Sequence, residues 1–88
     1  MVDPYSDTNK ESDTFIRTFG CDLDERELVW HRDRANRLIK VKNGIGWQLQ
    51  MDNELPFELV KGDRIFITEG RIHRILKGTT DLKIKING

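Results

Sequence analysis

The sequence lacks the features that would tie the chain to a membrane, a secretory route or a disulfide framework. A single cysteine, Cys21, excludes any intramolecular disulfide, and a reducing, cytoplasmic setting is the expectation. No apolar run approaches the ~20 residues that a membrane span requires, so no membrane partner is expected. The opening residues MVDPYSDTNKESDTF contain neither a basic nor an apolar region, which predicts that they are not a signal peptide.

The chain also lacks an excess of charge of either sign. Its 15 Lys and Arg residues balance 15 Asp and Glu residues, which gives a formal net charge of +0. A general nucleic-acid-binding protein carries a basic excess, so we expect no nucleic-acid partner. A chain of 88 residues buries only about 60% of the surface that it exposes when unfolded. Because such a domain is marginally stable alone, we expect a homodimer.

Helical periodicity is absent, and short segments separated by turn residues take its place. No long stretch repeats apolar side chains at helical spacing. Many short strands with regular turns are typical of an all-β sandwich or barrel. We predict a flexible N-terminal arm over residues 1–13 and a β-barrel domain over residues 14–88. The predicted strands cover residues 14–19, 27–33, 37–43, 46–51, 55–60, 63–68, 71–76 and 81–86.

Apolar and polar residues alternate within several of these segments. The pattern is clear in residues 37–43, and it places Trp47 on the same face of its segment as Met51. We predict that Trp47 packs inside the barrel, with a ligand-stacking role as the alternative, and Trp47 and Met51 are candidate ligand-binding residues. The Asn43-Gly44 pair predicts a hairpin, because both residue types tolerate positive φ.

Both histidines of the chain fall in segments that also carry charged residues. His31 and Asp33 lie two residues apart on a predicted strand, so both side chains point to one face. His73 lies on a later strand, beside a turn at Gly70. Two imidazoles and one carboxylate form the three-ligand set that binds non-haem Fe(II), and the same atoms accept Mn, Zn or Ni. The residues therefore predict a divalent metal site, for which the sequence does not select the metal.

Arg37 leaves three interpretations of these residues open. In the first, the histidines and Asp33 bind a metal ion, and Arg37 binds the anionic group of a small ligand. In the second, the site holds no metal, and Arg37 and the histidines together bind an anionic ligand. In the third, Arg37 and Asp33 form a satisfied ion pair, and the histidines are ordinary wall residues of the barrel.

The spacing of these residues resembles the two sequence motifs of the cupin superfamily. Asp33 stands where the first motif has its second histidine, and Arg37 stands where that motif has a glutamate. In the second motif, Thr68 replaces a proline and Lys77 replaces an asparagine. The resemblance covers roughly residues 25 to 86. The positions that match the residues of the family are His31, Gly44, Gly62, Gly70 and His73.

The resemblance implies a small jelly-roll barrel of two antiparallel sheets, with His31, Asp33 and His73 as metal ligands. It implies a metal-dependent enzyme, an oxygenase or an isomerase, in which Arg37 is the catalytic residue that orients the anionic group of the substrate. The alternative is a metal-free, non-catalytic cupin module that binds a small ligand or a protein partner. The sequence does not decide between the enzyme and this module, and it does not identify the substrate.

Overall fold

Short strands are the main regular secondary structure in the computed structural model, which describes residues 4–88. The only helix among these residues is one 3-10 turn, Glu25–Glu27, and no helix there is long and apolar enough to cross a membrane. The strands in chain order are β1 (Tyr5–Glu11), β2 (Thr14–Phe19), β3 (Arg37–Asn43), β4 (Gln48–Met51), β5 (Phe57–Glu58), β6 (Arg64–Ile67), β7 (His73–Leu76) and β8 (Leu82–Asn87).

The strands form two antiparallel sheets. The larger sheet has five strands in the order β1-β2-β8-β3-β6, and the smaller sheet has three in the order β5-β4-β7. Every pair of neighbouring strands runs antiparallel. The last strand, β8, lies between β2 and β3, so the two ends of the described chain meet in one sheet. The predicted all-β fold of two antiparallel sheets is therefore confirmed.

The core lies between the two sheets and follows the alternation of the strands. On β8, Leu82, Ile84 and Ile86 are buried, whereas the lysines between them face solvent. Trp47 is the largest fully buried side chain, and its indole N–H donates a 2.6 Å hydrogen bond to the carbonyl of Thr80. The prediction that Trp47 packs in the interior is thus confirmed, and burial of such a side chain contributes about 1.5–3 kcal/mol.

The N-terminal region differs from the expected flexible arm over residues 1–13. Residues Tyr5–Glu11 form strand β1, which pairs with β2 at the edge of the larger sheet, and residues 1–3 lie outside the described part. Arg17 on β2 forms a bidentate ion pair with Asp7, at 2.9 and 3.2 Å, and its guanidinium lies 3.6 Å from the ring centre of Tyr5. The sequence of β1 contains no apolar alternation that would predict a strand, and the polar contacts of Asp7 that hold it in place are visible only in the fold.

The Asn43-Gly44 pair ends β3 but does not form the predicted hairpin. Strands β3 and β4 belong to different sheets, so the chain crosses from one sheet to the other between them. The N–H of Ile45 in this crossing donates to the hydroxyl of Thr80 at 3.0 Å. Gly78 lies so close to the crossing that a Cβ there would collide with the carbonyl of Ile45. The hairpin prediction is wrong because the loop before β8, and not a returning strand, contacts the backbone after Gly44.

Candidate metal centre

The segment that carries His31 is not the strand predicted over residues 27–33. It follows the 3-10 turn, and only His31 finds a strand-like partner, in a single antiparallel bridge to His73. The N–H of His31 donates to the carbonyl of His73 at 3.0 Å, and the reverse bond measures 2.9 Å. The strand prediction is wrong beyond this bridge, because no other residue of the segment is paired in a ladder.

The structure brings the three predicted metal ligands together at one place. One ligand atom from each of His31, Asp33 and His73 lies within 4.8 Å of the other two. The Nε2 atom of His73 is 3.4 Å from Oδ2 of Asp33, and the two imidazole ring centres are 4.4 Å apart. Donor atoms around an ion with bonds of about 2.1 Å lie roughly 3.0–3.4 Å apart. The Asp33–His73 distance fits that spacing, and two imidazoles with one carboxylate are ligand types that suit a divalent ion.

Backbone carbonyls select the tautomer of both histidines. Nδ1 of His31 lies 3.0 Å from the carbonyl of Val29, and Nδ1 of His73 lies 2.7 Å from the carbonyl of Arg71. A carbonyl oxygen only accepts hydrogen bonds, so Nδ1 carries the proton in each neutral ring. The lone pair then resides on Nε2, the atom available to a metal ion. Hydrogen bonds of this kind orient the imidazole ligands in metalloproteins.

The protonation of His73 also favours ligation. Burial lowers the pKa of its imidazole below the ordinary value of 6.5, and the positive charges of His31 and Arg37 act in the same direction. The carbonyl of Arg71 and the carboxylate of Asp33 oppose this shift without cancelling it. Since a metal ion requires the neutral ring, His73 is in its ligating form at neutral pH.

Arg37 lies beside Asp33 in an arrangement that leaves its donors poorly used. It begins β3, and its Nη1 atom is 3.6 Å from Oδ1 of Asp33, which is an ion-pair distance but too long for a hydrogen bond. Its Nε atom is buried and has no hydrogen-bond partner within residues 4–88. The side chain of Arg37 therefore lies at the site, but the residues of the site do not fill its hydrogen-bonding capacity.

The three ligands and Arg37 open onto a cavity of about 290 Å³ between the sheets. Trp47 and Met51 lie outside its wall, so the structure differs from their expected place at a bound ligand. Trp47 has no exposed surface, and Met51 is also part of the buried core. The apolar part of the wall includes Ile39, Leu49, Ile67, Ile75, Ile84 and Ile86.

Arg17 and Tyr5 also line the cavity, and neither was predicted from the sequence as a site residue. The alternation of TFIRTF places Arg17 on the same face as Phe15 and Phe19, so an inward position of Arg17 could have been read from the sequence. No local pattern marks Tyr5, because the strand that carries it has polar inward residues. The carbonyls that orient the two histidines could not be found from sequence either.

Similarity to known proteins is detected through structure. No family model matches the chain, and no curated protein matches it. A cupin-2 domain containing protein from Shewanella frigidimarina is 20% identical with a TM-score of 0.63, over 93% of this chain and 76% of that one. A cupin domain from Bordetella pertussis is 14% identical with a TM-score of 0.62, over 99% and 96% of the two chains. Fe(II) HppE in complex with substrate is 17% identical with a TM-score of 0.68, over 100% and 55%.

The chain has the cupin fold, and the resemblance drawn from its motifs is confirmed at that level. At these identities the likeness establishes the fold alone. The chain spans about half of the length of HppE, 55%, so the activity of that protein is not transferred with the fold. Fold and site together define a small cupin-fold barrel with two histidines and one carboxylate beside its cavity.

Proposed function

We propose that this chain holds a divalent metal ion with His31, Asp33 and His73 and binds a small anionic molecule beside it. The observation that carries this proposal is the convergence of one ligand atom from each of the two imidazoles and the carboxylate within 4.8 Å, at the wall of a 290 Å³ cavity. Two histidines and a carboxylate are the usual ligands of non-haem Fe(II), and they also accept Mn, Zn or Ni. One structural neighbour, HppE, is described with Fe(II) and a substrate.

The proposed activity is that of a metal-dependent oxygenase or isomerase that acts on a small organic anion. A bound ion would supply Lewis-acid polarisation of a substrate oxygen or, as iron, a site for oxygen chemistry. Arg37 binds and orients the anionic group of the substrate, because its side chain lines the cavity and its ion pair with Asp33 is loose, at 3.6 Å. The isoleucine-rich wall would pack against the apolar part of the substrate.

A metal-free binding module is the second candidate, and one contact favours it. Arg37 lies 3.6 Å from Asp33, so the guanidinium can neutralise the carboxylate that the metal ion would need. In this candidate the chain keeps its barrel, and Arg37 and the histidines bind a small anion directly. No catalytic step is assigned to it.

Metal analysis of protein purified without an affinity tag separates the two candidates. We expect near-stoichiometric iron, manganese, zinc or nickel in the wild-type protein, and its loss in His31→Ala, because His31 contributes a ligand from an exposed position. Glu58→Gln, an exposed change on β5, is the matched control and keeps the metal. Protein that contains no metal and takes up neither Fe(II) nor Mn(II) would contradict the proposal and favour the metal-free module.

We further propose that the chain is a homodimer. On the outer face of the larger sheet, Leu38 and Phe66 lie directly opposite each other, and they are 43% and 58% exposed. A second copy would bury this apolar pair and supplement a core that is marginal at this size. Light scattering should give twice the chain mass, with dissociation in Phe66→Lys but not in Leu55→Lys, an exposed change elsewhere. A monomeric wild-type protein would overturn this assignment.

A further inference from the structure

The carboxylate of Asp33 is shared between two different neighbours. Its Oδ1 faces Nη1 of Arg37 at 3.6 Å, and its Oδ2 faces Nε2 of His73 at 3.4 Å. The Asp33 side chain is largely buried, with 12% of its surface exposed, so solvent screens these contacts only weakly. The same carboxylate therefore serves as the counter-ion of Arg37 and as a ligand of the proposed metal centre.

Arg37 is paired less tightly with Asp33 than Arg17, the other arginine at the cavity, is paired with Asp7. Arg17 is neutralised by two hydrogen bonds to Asp7, at 2.9 and 3.2 Å. Arg37 has only the loose contact to Asp33, and its buried Nε lacks a partner anywhere in the described chain. A guanidinium presents donors in a planar fork that matches a carboxylate. Arg37 is thus an incomplete carboxylate-binding site.

Metal binding would change the charge balance of this corner of the cavity. Without an ion, Arg37 and Asp33 carry equal and opposite charges, and they face each other at 3.6 Å. Once Asp33 ligates a divalent ion, its carboxylate no longer balances Arg37, and the corner carries excess positive charge. Glu27, another carboxylate on the cavity wall, is exposed to solvent and compensates weakly. A bound carboxylate would reduce this excess positive charge.

We infer that the metal ion and a short aliphatic carboxylate bind to this site cooperatively. The bound carboxylate replaces Asp33 as the counter-ion of Arg37, and it adds a further ligand to the set of His31, Asp33 and His73. This inference rests on the proposed metal site. The cavity volume of about 290 Å³ and its isoleucine-rich wall select a ligand with a short apolar tail. Ligand pockets in proteins span roughly 300–1,000 Å³, so the ligand belongs at the small end of that range.

Because of thermodynamic linkage, the coupling can be measured as a change in the dissociation constant of the metal ion when the carboxylate is present. If the carboxylate raises the affinity for the metal ion, the metal ion raises the affinity for the carboxylate by the same factor. Coupling between such sites is typically about 5- to 150-fold, and we expect at least roughly tenfold here. The readout is a binding constant, so it requires neither a known substrate nor turnover.

The test measures Mn(II) binding to the metal-free protein by calorimetry, with butyrate or with butyramide present. Butyramide has nearly the same shape but no charge. We expect butyrate to lower the Mn(II) dissociation constant at least roughly tenfold and butyramide to leave it unchanged. Weak chelation of Mn(II) by free butyrate would act in the opposite direction, so it cannot produce the expected result. Equal Mn(II) affinity in the two solutions would overturn the inference.

Two substitutions of Arg37 sharpen the test. Arg37→Gln removes the charge, and the butyrate effect should disappear while Mn(II) still binds. Arg37→Glu supplies a carboxylate from the chain itself, so Mn(II) should bind more tightly than in the wild type without butyrate. Arg34→Gln, an exposed change in the same loop, is the control and keeps the full butyrate effect. A butyrate effect that persists in Arg37→Gln would overturn the role of Arg37.

The inference and the proposed function fail in different ways. If no variant binds Mn(II) under any condition, including Arg37→Glu, the metal site itself is absent and both are overturned. If the wild-type protein binds Mn(II) but responds equally to butyrate and butyramide, the metal site stands and the coupling is overturned. Circular dichroism confirms that each variant is folded, and the comparison of the two additives on wild-type protein decides the question even if Arg37→Glu does not fold.

Discussion

His31 and His73 are held against each other by their backbones, through reciprocal N–H to carbonyl bonds of 3.0 and 2.9 Å. The two imidazoles come from parts of the chain that are far apart in sequence, yet this bridge brings their ring centres to 4.4 Å. Because main-chain bonds make the connection, the histidines approach each other without needing an ion between them. The site is therefore largely preformed, and metal binding should cost little reorganisation.

Metal binding should raise the thermal stability of the protein. At a free metal concentration 100 times the dissociation constant, binding to the folded state adds about 2.7 kcal/mol. For a domain of this size that corresponds to an increase in Tm of about 10–20 °C. Thermal unfolding followed by circular dichroism, with Mn(II) or with a chelator, provides the measurement. His31→Ala should lose the shift, and an equal shift in that variant would place the ion elsewhere.

Acidification should destabilise the metal-free protein through His73. Burial lowers the pKa of His73 in the folded state below the ordinary value of 6.5, so the unfolded chain takes up a proton first as the pH falls. At pH values above the unfolded-state pKa, His73 is neutral in both states and contributes no pH dependence to the free energy of unfolding. As the pH falls through that value, the free energy of unfolding decreases, and the loss continues until the lower folded-state pKa is passed.

Urea unfolding in the presence of a chelator, from about pH 8 to about pH 5.5, measures this effect. His73→Gln removes the titrating group, and its stability should depend less on pH across the same interval. The comparison uses the slope of the free energy of unfolding against pH rather than its absolute value, because the substitution also changes packing. Parallel slopes in the two proteins would contradict the assignment to His73.

Replacement of Trp47 should affect stability without affecting the metal centre. Trp47→Phe removes the 2.6 Å bond to the Thr80 carbonyl and leaves space in a fully buried position, at a cost of about 1–3 kcal/mol. Trp30→Phe is the matched control, because Trp30 is 42% exposed and phenylalanine keeps an aromatic face for Arg74. It should cost about 0.5 kcal/mol or less. Chemical denaturation and Mn(II) titration test both variants. A weakened Mn(II) affinity in Trp47→Phe would contradict the expectation that Trp47 affects stability without affecting the metal centre.

Cys21 should react slowly with alkylating reagents. A hydrogen bond to the carboxylate of Asp81 and the negative charge of that group raise the pKa of the thiol, and Asp22 adds a smaller effect. Because the thiolate is the reactive form, Asp81→Asn should accelerate alkylation by iodoacetamide, roughly two- to fivefold at mildly alkaline pH. Asp22→Asn should accelerate it less. Equal rates in the wild-type protein and Asp81→Asn would contradict this cause.

The alternation of side chains along the chain predicted most of the barrel. Residues 14–19 and 37–43 are strands with the predicted bounds, and the inward isoleucines of β8 were marked by the lysines between them. The predictions were wrong where contacts between segments distant in sequence, and not a local pattern of residues, determine the structure. Strand β1 has no apolar alternation in its sequence, and its inward-facing Asp7 is paired with Arg17 rather than with a hydrophobic neighbour. The Asn43-Gly44 turn matched a hairpin locally, but β3 and β4 lie in different sheets.

The sequence by itself determined the all-β class, the cupin-like spacing and the identity of the residues that can ligate a metal ion. Those properties depend on residue types and on intervals along the chain, which are visible without a fold. Only the tertiary structure decided that Val29 and Arg71 orient the imidazoles, that Asp33 stands between His73 and Arg37, and that Trp47 and Met51 lie away from the cavity wall. These relationships depend on distances of a few ångströms between segments remote in sequence, and no local pattern encodes such distances.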